Sequence, residues 1–327
     1  MNITKRIVER VMPILKRLDY VLVNRQTYST DRKYYYDVLA EFSKGRHEEK
    51  IESIVFSKNR AMQLHAFLSS YKNMVDDPGR IYVIYKASPG RHEQSYNQLK
   101  EIFTTDPVIF IEENNFRLQL IEVCERSRAK TVGLFVDDMI FTQKVSYSTL
   151  VSINTLEYTP TLSRGSDLDF SQVLNKPLIV PNLTPYKNGL HSFSWNSSKV
   201  FSDWTYPLGV SGYFYGREEL IVMLHQLVFN TPNSLESSMQ RFLPLYINRK
   251  GLCYSKVACV CVHANMVQTE ANNPVLGTFS VEELLAKWEA GLKIDISPFV
   301  GKSAEAQFLR YEFYKEAVSE LKTQDDR

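Results

Sequence analysis

Two adjacent carboxylates, Asp137 and Asp138, follow the apolar run Val132-Gly133-Leu134-Phe135-Val136 and precede Met139-Ile140-Phe141. Neighbouring carboxylates repel each other, so a cation or a set of hydrogen-bond donors has to offset the repulsion. Hard oxygen ligands of this kind suit Mg2+ or Mn2+ bridging to the phosphates of a substrate. The matching chemistry is departure of a phosphorylated group, whose growing negative charge a divalent ion stabilises. A helix cap beside a solvated turn carboxylate is the plainer account of the pair. On geometry, Asp138 is expected to touch the ion, and Asp137 to meet a ribose or to hold a neighbouring ligand in place.

A second chemical cluster lies upstream. Ser57-Lys58-Asn59-Arg60 separates a β-rich run from a helical one. Hydroxyl, amide and cationic groups at a helix N-terminus attract anions. Lys86 follows the next β-rich run, and Glu112-Glu113-Asn114-Asn115 the one after. Neither G-x-G-x-x-G nor G-x-x-x-x-G-K-[ST] is present, which argues against a dinucleotide or P-loop site.

These groups require a sheet that brings strand ends together. Strands are expected over residues 51–56, 80–85, 108–111 and 131–136, with helices over 62–74, 94–103 and 116–128. Strands alternating with helices of this length predict a parallel sheet with right-handed crossovers, which gathers ligands at its carboxyl edge. Beyond residue 150 the pattern is less regular. Short strands are expected around 178–180 and over 256–262, and helices over 218–228, 234–242, 281–290 and 305–321. Residues 1–25 place Ile7, Val11, Ile14, Leu15 and Leu18 on one helical face among basic residues. That face suits packing on the body, on a second subunit of a homo-oligomer, or peripheral contact with an anionic membrane. The polar stretch 43–50 reads as a linker.

Bulk composition narrows the field. The 327 residues carry a net charge of +2, with 44% hydrophobic and 23% charged residues, as in an ordinary globular protein. No basic stripe interleaved with aromatics marks a nucleic-acid binder. Cys124, Cys253, Cys259 and Cys261 are too few and uneven for a disulfide framework, and are expected as structural thiols in a reducing cytoplasm. No apolar run reaches the length of a membrane span, and the N-terminus does not read as a secretory signal. A cytoplasmic chain, peripheral at most to the inner membrane face, is expected.

In this order of motifs the chain resembles GT-A glycosyltransferases, particularly family-two-like bacterial enzymes of surface-polysaccharide assembly. The resemblance rests on Ser57-Lys58-Asn59-Arg60 with Gln63-Leu64, on Asp137-Asp138, on Tyr206-Pro207-Leu208 with Ser211-Gly212-Tyr213-Phe214, on Asn230 to Glu236, and on Asn265-Met266-Val267-Gln268. It departs from the family in offering adjacent aspartates where an Asp-x-Asp triplet is usual. The resemblance implies an α/β fold with a mostly parallel central sheet, helical additions over residues 1–50 and 296–327, and a domain over 51–295. Within that domain, 51–150 would form the nucleotide-sugar half and 151–295 the acceptor half.

The resemblance also assigns roles. Ser57, Asn59, Arg60, Lys86 and Asp137 would hold a nucleoside-diphosphate sugar, and Asp138 would hold Mn2+ or Mg2+ with His263 completing the shell. Trp204, Tyr206 and Gly212 would take a glycan or lipid-linked acceptor, the aromatics stacking on sugar rings. Glu236, in the first turn of a helix capped by Asn233 or Ser234, would be the general base of an inverting attack. A packed aromatic loop and a dipole-favoured helix-start glutamate are the structural alternatives. A nucleotidyltransferase would want glycine in the first loop, where residues 56–63 have none. A non-catalytic sugar-binding module would need neither Glu236 nor the aspartate pair.

Overall fold

The structure is a computed structural model and describes residues 32–33, 35–40, 47–198, 200–265 and 279–315. The helix expected over residues 1–25, and the membrane or subunit contact attached to it, lie outside these residues. So do positions 43–46 of the expected linker.

The chain forms an α/β sandwich. Strand β1 (Glu48–Lys58) leads through helix α1 (Ala61–Met74) to β2 (Ile81–Lys86). Helix α2 (Arg91–Ile102), β3 (Val108–Glu112), α3 (Phe116–Arg126) and β4 (Ala129–Val136) follow. β5 (Met139–Phe141) comes directly after the aspartate pair. The strands and helices expected up to residue 136 are all present. Residues 48–50 of the expected linker belong instead to β1, where Glu48 already pairs with Ala129.

The second half supplies β6 (Tyr158–Pro160), β7 (Thr184–Pro185), β8 (Leu190–Ser194), β9 (Tyr213–Gly216), α4 (Arg217–Gln226) and α5 (Pro232–Met239). It continues with β10 (Lys250–Tyr254), β11 (Cys259–Cys261), α6 (Val281–Glu289), β12 (Leu292–Ile294) and β13 (Phe313–Lys315). The central sheet has the order β9-β4-β1-β2-β3. β1 through β4 are parallel, and β9 is antiparallel against β4. The chain runs outward through β2 and β3, then jumps back to the other side of β1. That reversal opens a crevice at the carboxyl ends of β1 and β4.

Burial on both faces explains the composition of the central strands. Ile51 to Ser57 of β1 are all buried, and so is Thr131 to Phe135 of β4, the near-continuous apolar reading of a sheet covered on both sides. Gly133 sits where a Cβ would lie 2.8 Å from the Phe135 ring and 2.9 Å from Phe214, so its lack of a side chain lets β9 close on β4.

Two expectations fail outside the sheet. Residues 178–180 form no strand: Ile179 is 92% exposed, and prolines at 177 and 181 remove the amide donors that a ladder needs. Within 305–321, a short turn at Ala304–Phe308 gives way to β13, which pairs antiparallel with β12, while 316–321 lie outside the described residues. Tyr311 is buried there, with its hydroxyl donating to Val262 O at 3.3 Å, and this long-range packing overrides helical spacing. The β12–β13 pair also crosses the boundary expected at 295/296.

The N-terminal residues that are described dock on the body. Tyr35 is buried and its hydroxyl donates to Glu219, which Arg249 grips with both terminal nitrogens at 2.9 and 2.6 Å. The four cysteines are free thiols. Among the described residues no helix is long and apolar enough to cross a membrane.

On α1, His65 packs against Phe103 and Trp288, and its Nδ1 has no partner among the described residues. Burial, helped by the Lys293 charge, pushes its imidazole down from 6.5 to about 4. The unfolded chain takes up a proton in that window that the fold refuses, so stability present above pH 6.5 is lost as pH falls towards 4. The loss is worth about 3 kcal/mol. Urea melts at pH 7 and pH 4.5 test this: the His65→Phe variant is expected to lose less stability on acidification than the parent. Parallel losses would refute the assignment.

Candidate functional site

The β1–β4 register builds the centre of the site. Phe56 stands opposite Val136, and Asp137 N–H donates to Phe56 O at 3.1 Å, so Asp137 arrives beside Ser57. Both Asp137 oxygens are taken by protein donors. Oδ2 accepts from Ser57 Oγ at 2.8 Å and Lys58 N at 3.3 Å, and Oδ1 from Arg60 Nη1 at 3.1 Å. The same Nη1 reaches Asp138 Oδ2 at 3.3 Å, and Nη2 donates to Asn265 O at 2.5 Å.

Electrostatics follow from this geometry. Burial pushes the Asp137 carboxyl up to about 6, with Asp138 adding to the rise while Arg60 and Ser57 oppose it. Burial works against the Arg60 charge, but the two aspartates outweigh it and raise its pKa. The expected hydrated, anion-seeking arginine is thus an internal counterion instead.

Tyr96, in the middle of α2, completes the cluster. Its hydroxyl accepts from Arg60 N at 3.2 Å and lies 2.5 Å from Ser57 Oγ. Sequence reasoning missed it, since a tyrosine at a buried helical position reads as core. Asn59 is placed differently from the expectation. It adopts φ +55°, a left-handed conformation that asparagine tolerates, and its amide clamps Ser88 at 2.7 and 2.9 Å. It fastens the β1–α1 loop to the β2–α2 loop and does not line the cavity.

That cavity measures about 1150 Å³, and its lining includes Ser57, Arg60, Lys86, Asp137, Asp138, Tyr206, Glu236 and His263. Lys86 pairs with Glu113 at 3.1 Å at the outer end. β11 runs antiparallel to β5, and Val262 N–H donates to Asp138 O at 2.8 Å. This brings His263 Nδ1 to 3.9 Å from Asp138 Oδ2. Asn265 Oδ1 faces Gln63 Nε2 at 3.5 Å, and its Nδ2 has no partner among the described residues.

Glu236 comes from α5. Thr231, not Asn233 or Ser234, caps that helix: its Oγ1 accepts from Ser234 N at 3.1 Å, and Pro232 takes the first helical position. Glu236 is therefore two residues deeper than a cap at Asn233 would place it, beyond the first turn where a helix-start dipole acts most. Its Oε2 accepts from Val210 N at 2.9 Å, and the Tyr206 hydroxyl bonds to it. Burial raises its pKa, against the pull of Val210 N–H, Tyr206 and Arg164. Arg164 is a further residue that sequence reasoning missed. It is buried in an irregular loop with no periodicity to mark it, and donates to Asp203 O and Tyr213 Oη at 2.9 Å each.

Two acceptor-side expectations are corrected. Trp204 is 1% exposed, packs on Phe193 and donates its indole N–H to Leu168 O at 3.1 Å, so it has no face left for a sugar. Gly212 is not at the cavity wall. It turns the chain at φ +79°, with its N–H on Leu134 O at 2.8 Å and its carbonyl accepting from Leu162 N at 2.9 Å.

Among the described residues no group of three or more His, Cys, Asp or Glu side chains gathers to hold a metal ion. With both Asp137 oxygens taken, Asp138 is the carboxylate that fits Mg2+ or Mn2+, ions that combine one or two carboxylates with substrate phosphate oxygens and water.

No family model matches the chain. In sequence it is similar to a glycosyltransferase: it is 24% identical over 274 residues to the bifunctional glycosyltransferase pgtA of Dictyostelium discoideum. The match covers 72% of this chain and 35% of that protein, so the chain spans about a third of the relative's length. Among solved structures, S. aureus TarS in complex with UDP is 14% identical, with a TM-score of 0.39, covering 63% of this chain and 58% of that one. A nucleotidyl transferase from Methanothermobacter is 10% identical, with a TM-score of 0.37, covering 63% of this chain and 88% of that one.

The placement of Gly212 generates a prediction. A side chain at that positive φ is strained, and its Cβ would lie 3.0 Å from Met139 Cε. Gly212→Ala is expected to cost about 1–2 kcal/mol in urea unfolding. Ligand binding by the folded fraction should be unchanged. A variant of parental stability with impaired ligand binding would restore the glycine to the binding surface.

Proposed function

We propose that this chain is a glycosyltransferase that moves a sugar from a nucleoside-diphosphate donor to a hydroxyl of a glycan or lipid-linked acceptor. One observation carries the reading: the aspartate pair at the carboxyl end of β4 and Glu236 on α5 line the same cavity. The sequence similarity to a glycosyltransferase supports it.

In this reading the donor diphosphate lies against Asp138, with the nucleoside towards Ser57 and Lys86. Asp138 would hold Mn2+ or Mg2+, with His263 beside it, and the ion would supply charge stabilisation to the departing diphosphate. Asp137, with both oxygens occupied, orients Ser57 and Arg60 in preference to meeting a ribose. Glu236 takes the proton of the acceptor hydroxyl as that oxygen bonds to the anomeric carbon. The carbon's bond to the diphosphate breaks on the opposite face, so the configuration inverts. A sugar hydroxyl is a poor nucleophile, and a carboxylate with a raised pKa is a better base for it near neutral pH.

Transfer assays over a panel of nucleotide sugars and acceptors test the roles. Glu236→Gln is expected to lower kcat by about 10²–10⁴-fold while leaving donor binding nearly unchanged. Retention of parental kcat would remove Glu236 from the mechanism.

A pH profile gives an independent check. Glu236 acts ionised, so kcat should fall on acidification through its pKa. The Tyr206 hydrogen bond holds that pKa down. Tyr206→Phe is therefore expected to move the acidic limb to higher pH, and an unmoved limb would contradict the assignment.

A further inference from the structure

Arg60 stands on the ground between the two aspartates. Its side chain is 9% exposed, and Nη1 lies 3.1 Å from Asp137 and 3.3 Å from Asp138. Nη2 is tied to Asn265 O, and Nε–H is buried with no partner among the described residues. Two carboxylates and one guanidinium leave this cluster with a formal charge of −1. A divalent ion added by itself would turn that to +1 and sit beside a guanidinium in a poorly hydrated space, where like charges repel strongly.

The ligand count points the same way. No group of three or more His, Cys, Asp or Glu side chains gathers to hold an ion among the described residues, and with both Asp137 oxygens taken a lone ion beside Asp138 and His263 would keep most of its water. A nucleoside diphosphate resolves both difficulties, since it brings negative charge and phosphate oxygens together.

Resting on the donor reading above, we propose that Arg60 is a resident counter-cation that balances Asp137 and Asp138 while the site holds no donor. The divalent ion and the nucleoside diphosphate then enter together, and Arg60 releases Asp138 as they arrive. Arg60 is a positioning residue in this scheme. It sets the order of loading and leaves the proton transfer to Glu236.

Binding of Mn2+ to the full chain, read from loss of the free-ion paramagnetic resonance signal, tests this without any turnover. The parent is expected to bind Mn2+ alone at least about tenfold more weakly than Mn2+ with saturating UDP or GDP. Arg60→Gln should tighten the binding of Mn2+ alone by about tenfold and shrink the gain from nucleotide. Arg60→Lys, which keeps the charge, should stay close to the parent. Circular dichroism melts establish that each variant is folded. If Arg60→Gln does not fold, the parent and Arg60→Lys decide.

Tight binding of Mn2+ alone by the parent, or a folded Arg60→Gln with no gain in Mn2+ affinity, would overturn the counter-cation role. The transferase reading would survive either result. Failure of the parent to bind any of UDP, GDP, ADP or CDP, with or without Mn2+, would instead overturn the donor reading and this proposal with it.

Discussion

A guanidinium held between two carboxylates at the end of a parallel strand pair constrains everything around it. Arg60 cannot turn away without stranding Asp137, whose carboxyl burial already pushes up to about 6. Breaking such a buried pair from one side is strongly destabilising, because it leaves an uncompensated charge. Arg60 is in turn fixed by its place at the head of α1, by Tyr96 at its amide and by Asn265 at its far nitrogen. The β1–β4 register is what brings these groups to one point, since Asp137 follows the residue that stands opposite Phe56. A one-residue slip would turn the aspartate to the other face of the sheet.

The second half of the chain reaches the same point by strand pairing. β9 adds antiparallel to β4, and Gly133 permits the close approach of Phe214. β11 adds to β5 and carries His263 and Asn265 in behind Asp138. α5 then supplies Glu236, whose carboxylate is tied to Val210 N–H in the loop before β9. Side chains from both halves meet at a strand-order reversal, where open α/β sheets place their binding crevices. The cavity is large enough for a nucleotide and a second substrate together.

Much of this was legible before the fold was known. Alternating strands and helices announced the parallel sheet, because continuous apolar runs and helical spacing are local signals. Two aspartates after the fourth strand pointed to the carboxyl edge of the sheet, and they line the cavity there. What escaped was set by partners distant in sequence. Arg60 is expected from the sequence to attract a donor anion, because nothing local says that it turns to residues 77 and 78 positions away. Trp204 read as a stacking platform because exposure is not written in an aromatic loop. Asn59 read as a ligand contact, where its left-handed turn and Ser88 clamp make it a fastener. Residues 309–315 carried helical spacing, but pairing with β12 and the burial of Tyr311 decided their form. The α5 cap shifted by two residues because Thr231 and Pro232 outrank Asn233 as a start signal once the chain direction is set.

The central claim is that the aspartate pair receives a donor diphosphate at the carboxyl edge of β1 and β4. A crystal structure of the full chain grown with Mn2+ and a nucleoside diphosphate tests it most directly. The account predicts a diphosphate against Asp138, with its base at the Lys86–Glu113 end of the cavity and Glu236 facing it across open space. A nucleotide bound with its diphosphate away from the aspartate pair, or a cavity that stays empty at saturating concentration, would contradict it.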